Sequence, residues 1–218
     1  MYARVVERIQ QHGDERYFMF VSTLSTHHPF VNPENGEKSE AQALGYGDRQ
    51  LGLFYDRLME MGFFEDGVLI ILGDHHAMVP MKPGEVERFG TERAAAAVPM
   101  ILADGGKTRG EVDNLYTQTD IFHSLKNLTG STRQTSDWAG DIFTGTPAKY
   151  AAHRRGDYRD IISVFAQDWD CRVKLDGENT RVVSGDVPSD EIERELVDRI
   201  NAVRIPHNTT GPAVLMSN

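Results

Sequence analysis

An aspartate and two histidines, Asp74, His75 and His76, follow an unbroken apolar run, Val68–Leu72, with only Gly73 in between. The run carries no charge and three β-branched residues, which predicts a strand buried on both faces. A carboxylate and an imidazole form an oxygen and nitrogen pair that suits a divalent cation such as Mn²⁺ or Zn²⁺. We therefore interpret Asp74 and His75 as candidate ligands of one ion, brought together by the turn after Gly73.

A second pair of imidazoles, His27 and His28, lies just beyond another apolar stretch, Tyr17–Leu24. This stretch is rich in aromatic and β-branched residues, which predicts a second buried strand. Pro29 follows the pair; it ends the strand and favours an extended conformation at His28. The sequence thus predicts two strand ends that carry side chains capable of chemistry.

A long helix is predicted between these two strands, with Ser39 as its N-cap and Gln42 three residues further on. A strand, a long helix and a strand form a βαβ unit, in which the parallel strands end at the same edge of the sheet. Ligands bind outside the carboxyl ends of such strands. The topology therefore predicts that His27 lies near Asp74 and His75. The buried face of the helix is predicted at Leu51, Phe54, Leu58 and Met61.

The sequence as a whole indicates an α/β protein in two parts. A mostly parallel sheet flanked by helices is predicted for residues 1–150. A small antiparallel sheet with a helix is predicted for residues 151–218. Residues 77–97 contain several prolines and glycines, which predicts a loop excursion over the active edge, in the manner of a lid. Further strands are predicted at 98–103, 160–165, 171–175 and 180–183, and further helices at 2–12, at 117–128 and after an N-cap at Ser189.

Composition excludes several classes of function. The formal net charge is −10 and no basic run occurs, which argues against nucleic acid or an anionic membrane as the main ligand. An anionic substrate stays possible, because a bound metal supplies local positive charge. Cys171 is the single cysteine, so neither an internal disulfide nor a cysteine-based zinc site is predicted. No apolar run approaches ~18 residues, so no membrane span is predicted within this sequence.

Several motifs together resemble one known family. Their order and spacing resemble the extracytoplasmic catalytic domain of lipoteichoic acid synthases and bacterial phosphoglycerol transferases, within the alkaline phosphatase and sulfatase superfamily. The resemblance implies a sulfatase-like or alkaline-phosphatase-like mostly parallel sheet, present in part. The motifs are Thr23–Phe30, Tyr46–Asp48 before the long helix, Leu72–His75, Val98–Ile101 and Gln118–Ile121.

The resemblance implies roles for four residues. Asp74 and His75 take the positions of two ligands of the catalytic divalent ion, with Mn²⁺ favoured over Zn²⁺, Mg²⁺ or Ca²⁺. His27 takes the position of the histidine that contacts the substrate phosphate and acts in catalysis. His28 takes the neighbouring substrate-side position, which varies in the family.

The resemblance also implies a reaction. It is the metal-dependent transfer of phosphoglycerol from a phospholipid donor to a glycan or teichoic-acid-type acceptor, on the periplasmic or cell-surface side of a membrane. Relatives carry their nucleophile, a further acidic ligand and membrane helices ahead of the segment found here. We therefore expect the C-terminal half of a catalytic domain, anchored through segments absent from this sequence, inactive alone and requiring the N-terminal half as its partner. No nucleic-acid partner is expected.

Two other functions fit the same residues. One is hydrolysis of sulfate esters or phosphodiesters by an enzyme of the same superfamily. The other is a binding or regulatory fragment that keeps the fold without turnover. An Asp-His pair after a strand is often only a hydrogen-bonded turn, and the surrounding motifs are what favour a metal site. We interpret Asp120 as a helix cap rather than a ligand, and His76 as a support for the metal ligands or an exposed side chain.

Overall fold

The structure is a computed structural model that describes residues 1–204, except for residues 14, 77, 78, 108, 133–135, 155, 157–159 and 178. It divides the chain into two compact units. The first unit comprises residues 1–88 and 96–110, and the second comprises residues 89–95 and the chain from residue 111 onward. The predicted boundary near residue 150 stays a prediction. Within the described residues, no helix has the length and apolar character that a membrane crossing requires.

Two helices and a short 3₁₀ turn build the core of the first unit. Helix α1 spans Tyr2–His12 and helix α2 spans Glu40–Glu60, both where the sequence predicts them. The Ser39 side chain accepts the Gln42 N–H at 3.4 Å, which confirms the predicted N-cap. The apolar face of α1 packs on α2, and the rings of Tyr2 and Phe54 stack with centroids 4.7 Å apart. The buried members of this core are Phe54, Leu58 and Phe64.

The central strand forms as predicted, but its pairing differs from the prediction. Strand β1 spans Leu69–Leu72 and pairs antiparallel with strand β2, Met100–Ala103. It is half-buried along its length, rather than buried on both faces. The prediction of a strand over Tyr17–Leu24 is wrong, because this segment joins no sheet within the described residues. Apolar alternation specifies an extended backbone, whereas a strand also needs a partner backbone. The predicted parallel sheet is therefore not found in the described part of the chain.

The region predicted as a loop over residues 77–97 contains two short helices. Residues 77 and 78 lie outside the described residues. Helix α3 spans Pro83–Phe89 and helix α4 spans Thr91–Ala96. Proline is favoured at the first position of a helix, and Glu85, at the third position, accepts the Lys82 N–H at 2.7 Å. Prolines and glycines here mark helix ends, which the loop prediction did not take into account.

The second unit contains a four-stranded antiparallel sheet covered by a helix, and the sequence predicts three of these strands and the helix. The sheet order is β3-β4-β5-β6, and β3 is the strand that the sequence analysis missed. Helix α6 begins after Ser189, whose side chain accepts the Ile192 N–H at 3.3 Å. Leu196 and Ile200 of α6 are buried against the sheet. The strands are Ala151–His153, Ile161–Phe165, Asp170–Lys174 and Arg181–Gly185, and α6 spans Asp190–Arg204.

Helix α5, Gln118–Leu128, begins after Thr117 and holds the following loop through buried polar groups. Asp120 is 1% exposed; its Oδ2 accepts the Thr117 N–H at 2.6 Å and its Oδ1 accepts the Gly140 N–H at 2.9 Å. This confirms the predicted helix cap. One turn later, the Ser124 hydroxyl accepts the Ile142 N–H at 2.9 Å.

Candidate functional site

Asp74 and His75 lie in the turn that follows β1, and their side chains contact each other. His75 Nε2 is 3.5 Å from Asp74 Oδ2. The other carboxylate oxygen, Asp74 Oδ1, accepts the His75 backbone N–H at 2.9 Å, which fixes the orientation of the carboxylate. Both side chains are exposed, so a ligand can reach them. The predicted convergence of these two groups after Gly73 is therefore present.

The hydrogen bonding of His75 suits a metal ligand. Its Nδ1 lies 2.8 Å from the carbonyl oxygen of His76, a bond that requires the proton on Nδ1. In the neutral ring this leaves the Nε2 lone pair for a cation, and metal-binding histidines commonly have their other nitrogen fixed in this way.

The spacing of the two groups also fits a cation. Ligand atoms held about 2.1 Å from one cation lie about 3.0 Å apart at octahedral angles and about 3.4 Å apart at tetrahedral angles. The observed 3.5 Å between His75 Nε2 and Asp74 Oδ2 lies within about 0.5 Å of both values, so the spacing suits a divalent cation without selecting one metal. Asp74 and His75 thus fit two positions of a divalent metal site. No cluster of three or more histidine, cysteine or acidic side chains able to hold a metal occurs in the described ranges.

His76 has a carboxylate neighbour that the sequence analysis missed. Its side chain is largely buried, and its Nε2 is 3.7 Å from Glu85 Oε2. The Lys82 backbone N–H, followed by the effect of nearby His76, lowers the pKa of Glu85 despite the opposing effect of desolvation. Glu85 thus ties the start of α3 to the turn that holds Asp74 and His75. Proline at position 83 with glutamate two residues later is a helix-start pattern that could have revealed this residue.

His27 and His28 lie together in a tight turn before α2. His27 Nδ1 is 2.5 Å from the carbonyl oxygen of His28, which again places the ring proton on Nδ1 and leaves Nε2 as the free ring nitrogen. The Phe30 N–H donates to the His27 carbonyl at 2.8 Å and closes the turn. Phe30 adopts a φ of 55°, in the left-handed region that non-glycine residues rarely occupy.

Helix α2 positions this histidine turn through close contact with Gly47. A Cβ on Gly47 would lie 3.0 Å from Thr26 Cγ2, so a glycine lets the turn approach the helix. The far side of the turn is fixed by Asn32, whose side chain is buried and donates to Gln42 Oε1 at 3.1 Å. Both contacts come from the first two turns of α2.

The structure thus brings the predicted residues together in two pairs within the first unit. Asp74 contacts His75 after β1, and His27 contacts His28 before α2. The parallel βαβ unit that was predicted to join the two pairs is not found in the described residues. A single pocket shared by the two pairs therefore stays a prediction.

Comparison with known families identifies the first 131 residues. They match the family model described as Sulfatase, which covers more than half of the 218-residue chain. This chain belongs to the sulfatase family. The matched region contains both histidine-bearing turns and ends just after α5, which confirms the resemblance that the motifs predict.

Two curated proteins are similar to this sulfatase-family chain. Lipoteichoic acid synthase 1 of Bacillus subtilis (strain 168) is 24% identical over 164 residues, covering 65% of the chain and 25% of that protein. Inner membrane protein YejM of Salmonella typhi is 28% identical over 112 residues, covering 51% of the chain and 19% of that protein. The matches thus span a quarter or less of the length of these relatives.

Proposed function

We propose that this chain provides part of the active site of a metal-dependent phosphoglycerol transferase. The donor is a phospholipid, and the acceptor is a glycan or a teichoic-acid-type polymer. The similarity to a lipoteichoic acid synthase supports this choice within the sulfatase family. The nucleophile and the remaining metal ligand come from polypeptide outside this sequence, so the chain alone turns over no substrate.

The observation that carries the proposal is the paired geometry of Asp74 and His75. Their ligand atoms lie 3.5 Å apart, and the His76 carbonyl fixes the His75 tautomer. In this proposal the two residues hold one divalent cation, with Mn²⁺ favoured over Zn²⁺, Mg²⁺ or Ca²⁺. The bound cation would neutralise charge on the phosphoryl oxygens and lower the pKa of a nucleophile.

His27 and His28 supply the contacts to substrate. With Nδ1 held by the His28 carbonyl, the Nε2 of His27 can accept a hydrogen bond when neutral or donate one when protonated. As a donor it would stabilise a non-bridging phosphate oxygen or assist the departing group. His28 lies beside it and contributes to the substrate side of the turn.

Titration of the chain with Mn²⁺ in a calorimeter tests the metal site. We expect saturable heats from the native chain and their loss in Asp74→Ala, because one of two ligands is removed. Asp56→Ala is a matched control, since Asp56 is an exposed carboxylate on α2 of the same unit. Equal heats from native chain and Asp74→Ala would refute the site and favour a fragment that binds no catalytic metal.

Hydrolysis of a sulfate ester or phosphodiester is the second candidate, and the match to the Sulfatase family model favours it. Protein purified from the cells that make it can be given phosphatidylglycerol or a chromogenic sulfate ester in separate assays. Release of diacylglycerol with transfer of phosphoglycerol supports the transferase. Turnover of the sulfate ester alone would favour the hydrolase.

We further propose that the reaction takes place at the extracytoplasmic face of a membrane. A phospholipid substrate requires access to a bilayer surface, and one relative is itself named an inner membrane protein. Adding protease to the outside of cells, followed by cell fractionation, tests this location by showing whether the chain is cleaved. Protection of the chain from protease in cells with a permeabilised outer envelope would contradict it.

A further inference from the structure

The readiness of His75 to bind a cation depends on the backbone of the next residue. Its Nδ1 donates to the carbonyl oxygen of His76 at 2.8 Å, and this bond keeps the Nε2 lone pair available. A neutral imidazole can carry its proton on either nitrogen, and the other tautomer would block Nε2. Because the His75 side chain is 55% exposed, water reaches the ring and burial does not select one tautomer. The position of the His76 carbonyl therefore sets the tautomer of His75.

The side chain of His76 is the most enclosed of the three polar side chains that follow β1. It is 17% exposed, whereas the side chains of Asp74 and His75 are 86% and 55% exposed. Its Nε2 lies 3.7 Å from Glu85 Oε2. Because a side chain and its own backbone share one Cα, restraint of this ring also restrains the carbonyl that His75 uses. His76 thus anchors a turn whose other two side chains face solvent.

The carboxylate of Glu85 is itself fixed by the backbone before α3. The oxygen that faces His76, Oε2, also accepts the Lys82 N–H at 2.7 Å. The Lys82 ammonium lies 3.4 Å from Oε1 of Glu40, the first residue of α2. All of these residues belong to the first unit. A series of contacts therefore runs from the start of α2, through the start of α3, to the turn after β1.

We propose that Glu85 is a positioning residue of the metal site. Through the side chain of His76 it places the carbonyl that keeps His75 in its cation-binding tautomer. The proposal rests on the proposed function, because that function assigns the cation to Asp74 and His75. Partners that fix the second nitrogen of a metal-binding histidine commonly tune metal affinity in this way. Glu85 acts through another residue, since its carboxylate contacts His76 and no cluster of three metal-binding side chains occurs in the described ranges.

Two other roles for Glu85 would use the same contacts. In the first, the carboxylate only accepts the Lys82 N–H and starts α3, so His75 would not respond to its loss. In the second, the carboxylate is itself a ligand of the cation, so glutamine would replace it poorly, because a neutral amide attracts a divalent cation less than a carboxylate does. The positioning role requires only an oxygen at the place of Oε2, and it needs the His76 side chain.

Nitrogen-15 NMR of the metal-free 218-residue chain tests the link from Glu85 to His75. At a pH where the imidazole rings are neutral, the ring shifts show which nitrogen of His75 carries the proton. We expect the proton on Nδ1 in the native chain and a mixture of tautomers in Glu85→Ala. Glu85→Gln keeps an acceptor oxygen and should retain the native tautomer. An unchanged His75 tautomer in Glu85→Ala would overturn the proposal and leave only the start of α3.

Two controls show that the effect is specific. Glu87→Ala removes an exposed carboxylate from the same helix and should leave the His75 signals unchanged. The ring of His27, which is fixed by the His28 carbonyl in the same unit, provides an internal measure of folding. If Glu85→Ala changed the His27 signals as much as those of His75, or if Glu87→Ala had the same effect, the change would be general unfolding and the positioning role would be refuted.

Titration with Mn²⁺ then distinguishes positioning from direct ligation. We expect Glu85→Ala to weaken Mn²⁺ binding by about 10–100-fold, as is usual for loss of a partner behind a metal ligand, and Glu85→Gln to retain most of the affinity. In a His76→Ala background, Glu85→Ala should cause no further loss. A further loss there, or an equal loss with glutamine and alanine, would make Glu85 a ligand and overturn the proposal.

The two measurements separate this proposal from the proposed function. If the native chain gives no saturable Mn²⁺ heat while Glu85→Ala still shifts the His75 tautomer, the metal site fails and the control of His75 by Glu85 stands. If Mn²⁺ binds to the native chain while Glu85→Ala changes neither the tautomer nor the affinity, the metal site stands and the positioning role is overturned.

Discussion

Replacing the buried carboxylate of Asp120 with alanine is expected to destabilise the second unit by about 3 kcal/mol. Loss of an N-cap contact costs about 0.5–2 kcal/mol, here the bond to the Thr117 N–H at 2.6 Å. The Gly140 N–H, held by Asp120 at 2.9 Å and buried, would lose its acceptor at a further cost of about 1–3 kcal/mol. Asp120→Asn keeps one acceptor oxygen, so it should lower the free energy of unfolding by roughly half as much as Asp120→Ala.

Tryptophan fluorescence during urea unfolding measures this effect in the correct unit. The chain contains two tryptophans, Trp138 and Trp169, and both lie in the second unit, each within 6 Å of the Tyr150 ring, at 5.0 and 5.6 Å. Their signal therefore follows unfolding of that unit. With a urea dependence of ~2 kcal/mol per molar, a loss of about 3 kcal/mol lowers the midpoint by about 1.5 M.

A matched surface variant sets the baseline for this measurement. Asp198→Ala removes an exposed carboxylate from α6 of the same unit, and surface changes of this kind shift stability by about 0.5 kcal/mol or less. If Asp120→Ala moved the midpoint no further than Asp198→Ala, the buried carboxylate would not stabilise the unit, and the reasoning from its two hydrogen bonds would be wrong.

Three further predictions concern the same unit. Leu196 is fully buried under the sheet, so Leu196→Ala should cost about 2–5 kcal/mol in the same urea assay, and a loss below that of a surface variant would contradict the packing. Burial raises the pKa of Cys171 to about 11, so Ellman's reagent at pH 8 should label it only after unfolding; immediate labelling would show an open core. Burial alone would raise the pKa of Asp141, but hydrogen bonds led by that from Asn127 lower it overall. Its stabilisation is therefore complete above its ordinary pKa of 3.8 and is lost as the pH falls below that value, and Asp141→Asn should flatten the acid limb of stability against pH.

Local signals predicted helices α1, α2, α5 and α6 correctly. The apolar stripe of α2 packs at Phe54 and Leu58, and Ser39 and Ser189 cap the helices that follow them. Asp120 caps α5 as predicted. These features depend on residues within four or five positions of one another, so the sequence specifies them without knowledge of the rest of the fold.

The errors have two origins. One is a local signal that was not used: Pro83 and Glu85 start helix α3, although the glycines and prolines of residues 83–96 also fit a loop. The other is the dependence of strand pairing on distant backbone. Tyr17–Leu24 has a strand pattern, and the choice of its partner lies beyond any local signal. Within the described residues, β1 pairs antiparallel with β2 instead.

The amino-acid sequence by itself determined the family, helices α1, α2, α5 and α6, three of the four strands of the second unit and the side chains that can do chemistry. It also placed Asp74 and His75 in one turn, because adjacent residues after a strand are close whatever the wider fold. Tertiary structure alone decided the direction in which β1 pairs, the exposure of Phe18 and Phe20, and the contact of Glu85 with His76. These depend on which backbone segments meet in space, and hydrogen-bond pairing between distant segments leaves no mark in the pattern of either segment alone.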